Sequence, residues 1–356
     1  MTAARRMRVG AAAWRRIAFA LPLLFAAATE ARAADAIEQK DVEIAVVRDP
    51  QLGAQMAIAD YYGYFKDEGL NVTIHWNQSG ADIITVMAGG SAYLAAGSMF
   101  GQVLFSTQGL PIKTLAALAD IAETQGFVLS PGVKLGNPRE LEDKKIAFTQ
   151  GSPSPLLLAK MANMFGFDMA KVRLVNMNQP EGIVAASKGD VQGLLGWQPF
   201  LYRLVTMGGT MYATGTTLYT GGAPQRLPDD DRLQMNHSLL MAAQSWIDGK
   251  PNTLKAVMRA LLRADDLIAK DRPKALDALE KQLRIDRDAL TVMVAANKYD
   301  LALDHNVAAS LAFIGNWAVS INRAPRSATP EEAFAPDLLR ALDPSLVSYA
   351  GNRAEK

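Results

Sequence analysis

The residues best suited to chemistry in this chain are hydroxyls and amides gathered at glycine- and proline-rich turns. The densest set is Gln150-Gly151-Ser152-Pro153-Ser154-Pro155. Such side chains donate and accept hydrogen bonds without ionising, which suits holding a small polar molecule. Groups for covalent or metal chemistry are sparse. There is no cysteine, and the three histidines are His75, His237 and His305. His75 alternates within a strand-like run and His305 stands at a helix start, so each reads as a satisfied structural residue. No HExxH, P-loop or nucleophile-elbow pattern occurs. Asp229-Asp230-Asp231 beside Pro228 reads as a solvated loop, and Met161, Met164 and Met169 as adaptable core. No catalytic residue, metal site or cofactor is expected.

The elements around that turn explain what it could do. Ile146, Ala147 and Phe148 read as a short buried strand, and Leu156, Leu157, Leu158, Met161 and Phe165 follow at helical spacing. Proline suits the first helical turn, and Ser152 or Ser154 can cap it. A strand that hands over to a helix N-terminus at the carboxyl edge of an open α/β sheet is where ligands bind. The pattern recurs along the chain. Val42–Val47 ends at Arg48-Asp49-Pro50-Gln51-Leu52-Gly53, and a helical pattern follows. Asn71–Trp76 alternates as a strand, Ala92–Ala96 ends at Gly97-Ser98-Met99-Phe100, and Pro111–Leu115 begins another strand. The strands at Ile146 and Val172 stand about one hundred residues after those at Ile44 and Ile74. Strands separated by helices imply mainly parallel sheets, here in two α/β lobes facing a shared cleft. Past Asn236 the pattern is almost continuously helical from Leu254 to about Ile321. This block is too amphipathic to stand alone and should pack back on the first lobe. The proline-rich end from Ala324 is expected to be a loosely packed tail.

Residues 1–33 read as an export signal. Five arginines precede the apolar Ile17–Thr29 run, and Ala31-Arg32-Ala33 fits a cleavage site. Ala18 after Arg15-Arg16 favours the general secretory route over twin-arginine export. Cleavage removes six Arg and one Glu from 37 basic and 36 acidic residues, leaving a formal charge of −4. No basic face appears, so nucleic acid is not an expected partner. With no cysteine to carry a lipid, the mature chain is expected to be a soluble periplasmic monomer.

Ala59-Asp60-Tyr61-Tyr62-Gly63-Tyr64-Phe65-Lys66-Asp67-Glu68-Gly69-Leu70-Asn71-Val72 resembles the first helix and second strand of the nitrate/sulfonate/taurine (and thiamine-pyrimidine-precursor-like) substrate-binding proteins of ABC importers. Glu140–Phe148 resembles their entry to the second lobe, and Gly189 through Trp197-Gln198-Pro199-Phe200 their glycine-x-valine strand and W-x-P-aromatic turn. The resemblance implies the α/β type II periplasmic-binding-protein fold, two α/β lobes with a ligand cleft between them. It gives lobe one as 34–122, lobe two as 123–235, and a return to lobe one over 236–356. Three departures stand out. Asp143 takes the place of a usual glycine, and Tyr93 and Gln192 replace aspartates usual in strands leading to the cleft. Relatives that form the thiamine pyrimidine depend on a cysteine-rich iron-binding loop, which this chain cannot build.

The expected function is therefore capture of a small organic solute by lobe closure and its delivery to an inner-membrane ABC permease. The alternative is a cofactor-biosynthesis enzyme on the same fold, disfavoured by the export signal and the lack of cysteine. Candidate ligand contacts are Arg48, Gln51, Gln55, Ser98, Met99, Gln125, Gln150, Ser152, Ser154, Trp197 and Gln198. Trp197 reads either as a core aromatic or hinge filler or as a cleft wall, and its place after a strand glycine favours the cleft. Gln125-Gly126 and Gly221-Gly222 are the expected near-hinge segments. Arg48 is the better-placed base for an acidic group, although Asp49 beside it could neutralise it. The remaining amides, hydroxyls and aromatics suit a sulfonate, carboxylate or polar heteroaromatic with at most one negative group.

Overall fold

The computed structural model describes residues 36–220 and 223–349. The expected export signal and Gly221-Gly222 lie outside the described residues. The chain begins with β1 (Asp41–Val47), α1 (Ala54–Tyr61), α2 (Tyr64–Asp67), β2 (Asn71–Asn77), α3 (Gly80–Ala88), β3 (Leu94–Ser98), α4 (Met99–Thr107) and β4 (Ile112–Asp120). It then passes into β5 (Gln125–Leu129), β6 (Lys145–Phe148), α5 (Ser154–Phe165), β7 (Arg173–Asn176), α6 (Gln179–Lys188), β8 (Gly193–Trp197), α7 (Phe200–Thr206), β9 (Thr210–Thr214), β10 (Thr217–Leu218) and β11 (Gln225–Arg226). The return comprises β12 (His237–Ala243), α8 (Gln244–Gly249), α9 (Pro251–Lys270), α10 (Arg272–Leu283), α11 (Arg287–Ala296), β13 (Lys298–Tyr299), α12 (His305–Ser320), α13 (Pro330–Ala333) and α14 (Asp337–Leu342).

These strands form two sheets, β13-β4-β12-β3-β1-β2 and β11-β10-β9-β5-β8-β6-β7. Within them β2-β1-β3-β12-β4 matches β7-β6-β8-β5-β9, which accounts for the hundred-residue recurrence. Both sheets are mixed rather than mainly parallel. The first three strands of each motif are parallel, but β12 runs antiparallel between β3 and β4, and β5 antiparallel between β8 and β9. Each inserted strand is the one arriving from the other lobe, so its direction is set by the crossing and not by a local βαβ unit. Leu239–Ala242 in β12 are fully buried. A strand covered on both faces has no alternation, so its period alone does not separate it from a buried helix.

The expected long helical stretch is four helices. Asp271, Asp286 and Asp304 interrupt it by accepting N–H bonds from Lys274, Ala289 and Val307, as N-cap carboxylates do. The buried face of α9, including Leu254, Met258 and Leu261, lies in the first-lobe core, while Arg259 and Arg263 pair with Glu68 and Asp67 at 2.6 and 2.9 Å. The segment after Ala324 is not loosely packed. Ala333, Phe334 and Leu339 are buried, and the Ala335 N–H donates to Thr114 O at 2.9 Å, docking the segment on β4. Its prolines start short helices, one closed by a Thr329/Glu332 capping box.

The two passages between lobes run side by side: the Ile121 N–H donates to Asn236 O at 2.9 Å. Arg232 on the second passage pairs with Asp120 at the end of β4, at 3.0 Å. Where relatives would carry a glycine, Asp143 adopts φ 65°, the left-handed conformation glycine takes without strain.

Candidate ligand-binding site

The carboxyl ends of β1 and β3 in the first lobe face those of β6 and β8 in the second. After β1, Asp49 folds the chain into an Asx turn, its Oδ1 accepting from the Gln51 and Leu52 N–H groups at 2.9 and 2.8 Å. Ser79 caps α3 in a capping box with Asp82. Gly80 and Ala81, in the first helical turn where N–H groups have no partner within the helix, line the cavity. Ser98 occupies the N-cap of α4 without making a side-chain cap bond. After β6, Thr149 Oγ1 donates to Met177 O at 3.0 Å and accepts from Gln179 Nε2 at 3.1 Å, which fixes the second-lobe turn.

Neither serine holds the N-cap position of α5, and Ser152 Oγ accepts from the first helical N–H, that of Ser154, only at 3.5 Å. Pro153 holds the N-cap position without a side-chain bond. Ser152 Oγ instead donates back to Thr149 O at 2.7 Å and shares a 2.9 Å bond with Ser154 Oγ.

These turns enclose a narrow cavity of about 40 Å³. Amides bridge it from lobe to lobe. Gln51 Nε2 donates to Gln198 O at 3.0 Å and Gln125 Nε2 to Gln51 Oε1 at 3.5 Å, while within the second lobe Gln234 Nε2 donates to Pro153 O at 3.1 Å. Trp197 walls one side, 9% exposed and edge-to-face on Phe200. Asn236, on the second passage, is fully buried, and neither its Oδ1 nor its Nδ2 has a partner among the described residues. Leaving a buried amide unpaired costs about 1–3 kcal/mol, so this side chain is set for a group from outside the protein.

Of the residues singled out in the sequence, Gln51, Ser98, Gln125, Ser152 and Trp197 line the cavity. Ser154 and Gln198 stand one hydrogen bond behind it. Four others stand away from it. Arg48 donates from Nη1 to Gln282 O at 3.0 Å and lies 4.8 Å from the Trp76 ring centroid, so it is neither a cavity base nor neutralised by Asp49. Gln55 is fully buried between Leu118 O and Asp265, at 2.6 and 2.9 Å. Met99 belongs to the first-lobe core, and Gln150 is bonded to Asn176 outside the cavity. Tyr93 stacks on Trp246, and Gln192 accepts from the Lys145 N–H, so neither departure from the family pattern lines the cavity.

Sequence reasoning missed Asp49, Ser79 and Asn236. The Asp-Pro-Gln turn was a usable signal for Asp49. Asn236 carries none, because its role depends on the neighbouring passage 115 residues earlier at Ile121. Among the described lining residues there is no Lys, Arg or His.

Burial pushes the Asp49 carboxyl up from 3.8 to about 7, against the two N–H bonds that favour its charged form. Burial also pushes Asp265 up to about 7. The folded protein therefore holds these protons more tightly than the unfolded chain does. Their contribution to stability is complete below 3.8 and is lost as the pH rises through about 7. Buried His237 is pulled below 6.5 and works in the opposite sense, but only in the more acidic range. The melting temperature of the ligand-free protein should thus fall between pH 6.5 and 8, and less so in Asp49→Asn. A flat or rising profile in differential scanning calorimetry would contradict this reading of the two carboxyls.

Residues 53–275 match the protein family described as NMT1/THI5 like. Over 153 residues the chain is 25% identical to the taurine-binding periplasmic protein of Escherichia coli (strain K12). That alignment covers 42% of this chain and 46% of the other, so the chain spans about half the length of this curated relative. The alkanesulfonate-binding protein SsuA from Xanthomonas axonopodis pv. citri, solved bound to MOPS, superposes with a TM-score of 0.69 at 15% identity, covering 84% of this chain and 99% of that one. The desulfurization enzyme DszB superposes with a TM-score of 0.60 at 13% identity, covering 85% and 98%. At these identities the two structural likenesses are of fold alone.

Proposed function

Because the chain belongs to the NMT1/THI5-like family and has the two-lobed type II periplasmic-binding fold, we propose that it is the substrate-binding component of an ABC import system. In this reading it captures a small organic solute between its lobes in the periplasm and delivers it to an inner-membrane permease. The solute is a sulfonate, carboxylate or polar heteroaromatic with at most one negative group. The observation that carries the reading is the cavity itself. Four strand-end turns from two lobes converge on a buried amide, Asn236, whose polar atoms have no protein partner among the described residues.

The enzyme reading has the fold of DszB in its favour. Against it, the one acid or base among the described lining residues is Asp49, with no base beside it to activate a nucleophile. The family resemblance to the taurine-binding relative and the amide-bridged cavity favour transport.

A thermal-shift panel of small polar solutes, followed by solution scattering, tests the proposal. A true ligand at one hundred times its dissociation constant should stabilise the protein by about 2.7 kcal/mol. It should also change Trp197 fluorescence and the scattering dimensions as the lobes exchange open for closed. A saturating ligand that leaves those dimensions unchanged would count against capture by closure.

A further inference from the structure

We propose that Asp49 reads a protonated amine on the solute, with Asn236 holding the polar atoms beside it; this rests on the binding-protein reading above. Asp49 is 2% exposed and lines the cavity. Both N–H groups it accepts fall on Oδ1, leaving Oδ2 without a donor among the described residues. Its sequence neighbour Arg48 is turned away to Gln282 O and the Trp76 ring. With no Lys, Arg or His among the described lining residues, a bound solute is the available source of a countercharge. A carboxylate held out of water without a cation is unfavourable, and an ammonium group delivered by a ligand relieves that while forming a charge-assisted hydrogen bond.

Other lining residues of the first lobe carry the opposite preference. The first N–H groups of α3, at Gly80 and Ala81, and the uncommitted Ser98 hydroxyl suit an oxygen-rich or anionic end. Asn236 can donate from Nδ2 and accept at Oδ1, so it can serve either end. The class of solute this arrangement fits is a small zwitterion, with the amine at Asp49. An anion lacking an amine would place like charge against Asp49 and gain nothing from it.

Isothermal titration of the mature chain at pH 7.5 with matched probes tests the assignment. The probes are β-alanine against propionate, and 3-aminopropanesulfonate against propanesulfonate. The amine-bearing member of a pair should bind about tenfold to a hundredfold more tightly. Asp49→Asn, checked by its melting curve, should erase that preference while leaving the amine-free member no weaker. If that variant fails to fold, the wild-type comparison within each pair still decides. Equal or tighter binding of the amine-free members, or a preference that survives Asp49→Asn, would overturn the amine assignment and leave the binding-protein reading intact. Failure of all four probes at millimolar concentration, with another solute from the panel binding, would overturn the assignment alone. Failure of the entire panel would overturn both.

Discussion

Phe127→Ala should unfold the second lobe ahead of the first. Phe127 is fully buried at the centre of β5, edge-to-face on Tyr212 with ring centroids 5.8 Å apart. Its ring occupies the space where a Cβ on Gly193 would stand, 2.5 Å from Phe127 Cε2, so ring and glycine are a matched pair. Around it pack Ile146, Leu157, Leu158, Met161 and Leu195, the apolar layer on one face of the second sheet. Removing a buried phenylalanine costs about 3–5 kcal/mol, a large share of the 5–15 kcal/mol typical of a folded protein. The first-lobe core runs from β1 through α14 and takes in only Leu156 from the second lobe, so the loss falls mainly on one lobe. Hydrogen exchange should show β5, β8 and β9 losing protection while β1, β3 and β12 keep theirs. Ligand affinity should fall too, since Gln125 and Trp197 pair across β5 and β8 at the cavity. Uniform loss of protection across both sheets would mean that the lobes do not melt as separate units.

Asn236→Leu should move stability and binding in opposite directions. The side chain is fully buried and its amide atoms are unpartnered, so a leucine of similar size removes a desolvation penalty of about 1–3 kcal/mol. The Asn236 backbone is held independently by the Ile121 N–H bond, and the passage between lobes should survive the exchange. The expected result is a higher melting temperature without ligand and no further rise when ligand is added. This is the pattern for a binding residue kept at a cost to the empty state. Lower stability with unchanged binding would assign Asn236 a structural role instead.

Periodicity and turn chemistry carried much of the architecture. Alternation in Asn71–Trp76, the glycine and prolines between Phe148 and Leu156, and the helical spacing beyond sufficed to expect strand-to-helix turns. The hundred-residue recurrence sufficed for two lobes. These are local properties: a strand or amphipathic helix buries one side whatever it packs against. The same logic drew eleven candidates from the strand-end turns, of which Gln51, Ser98, Gln125, Ser152 and Trp197 line the cavity, but it did not tell them from Arg48, Gln55, Met99 and Gln150, which do not.

What only the tertiary structure decided is the direction each turn side chain takes and the composition of each sheet. Arg48 and Asp49 are neighbours in sequence, yet one reaches Gln282 O, 234 residues away, and the other lines the cavity. Gln55 lies four residues after Gln51 but is drawn into the core by Leu118 and Asp265. Asn236 has no local signal, and β5 and β12 run antiparallel because each arrives in its sheet from the other lobe. In every case the deciding hydrogen bond or strand partner is remote in sequence. A chain's local pattern sets which backbone can bend or extend, while the distant partner sets which side chain is left facing the ligand.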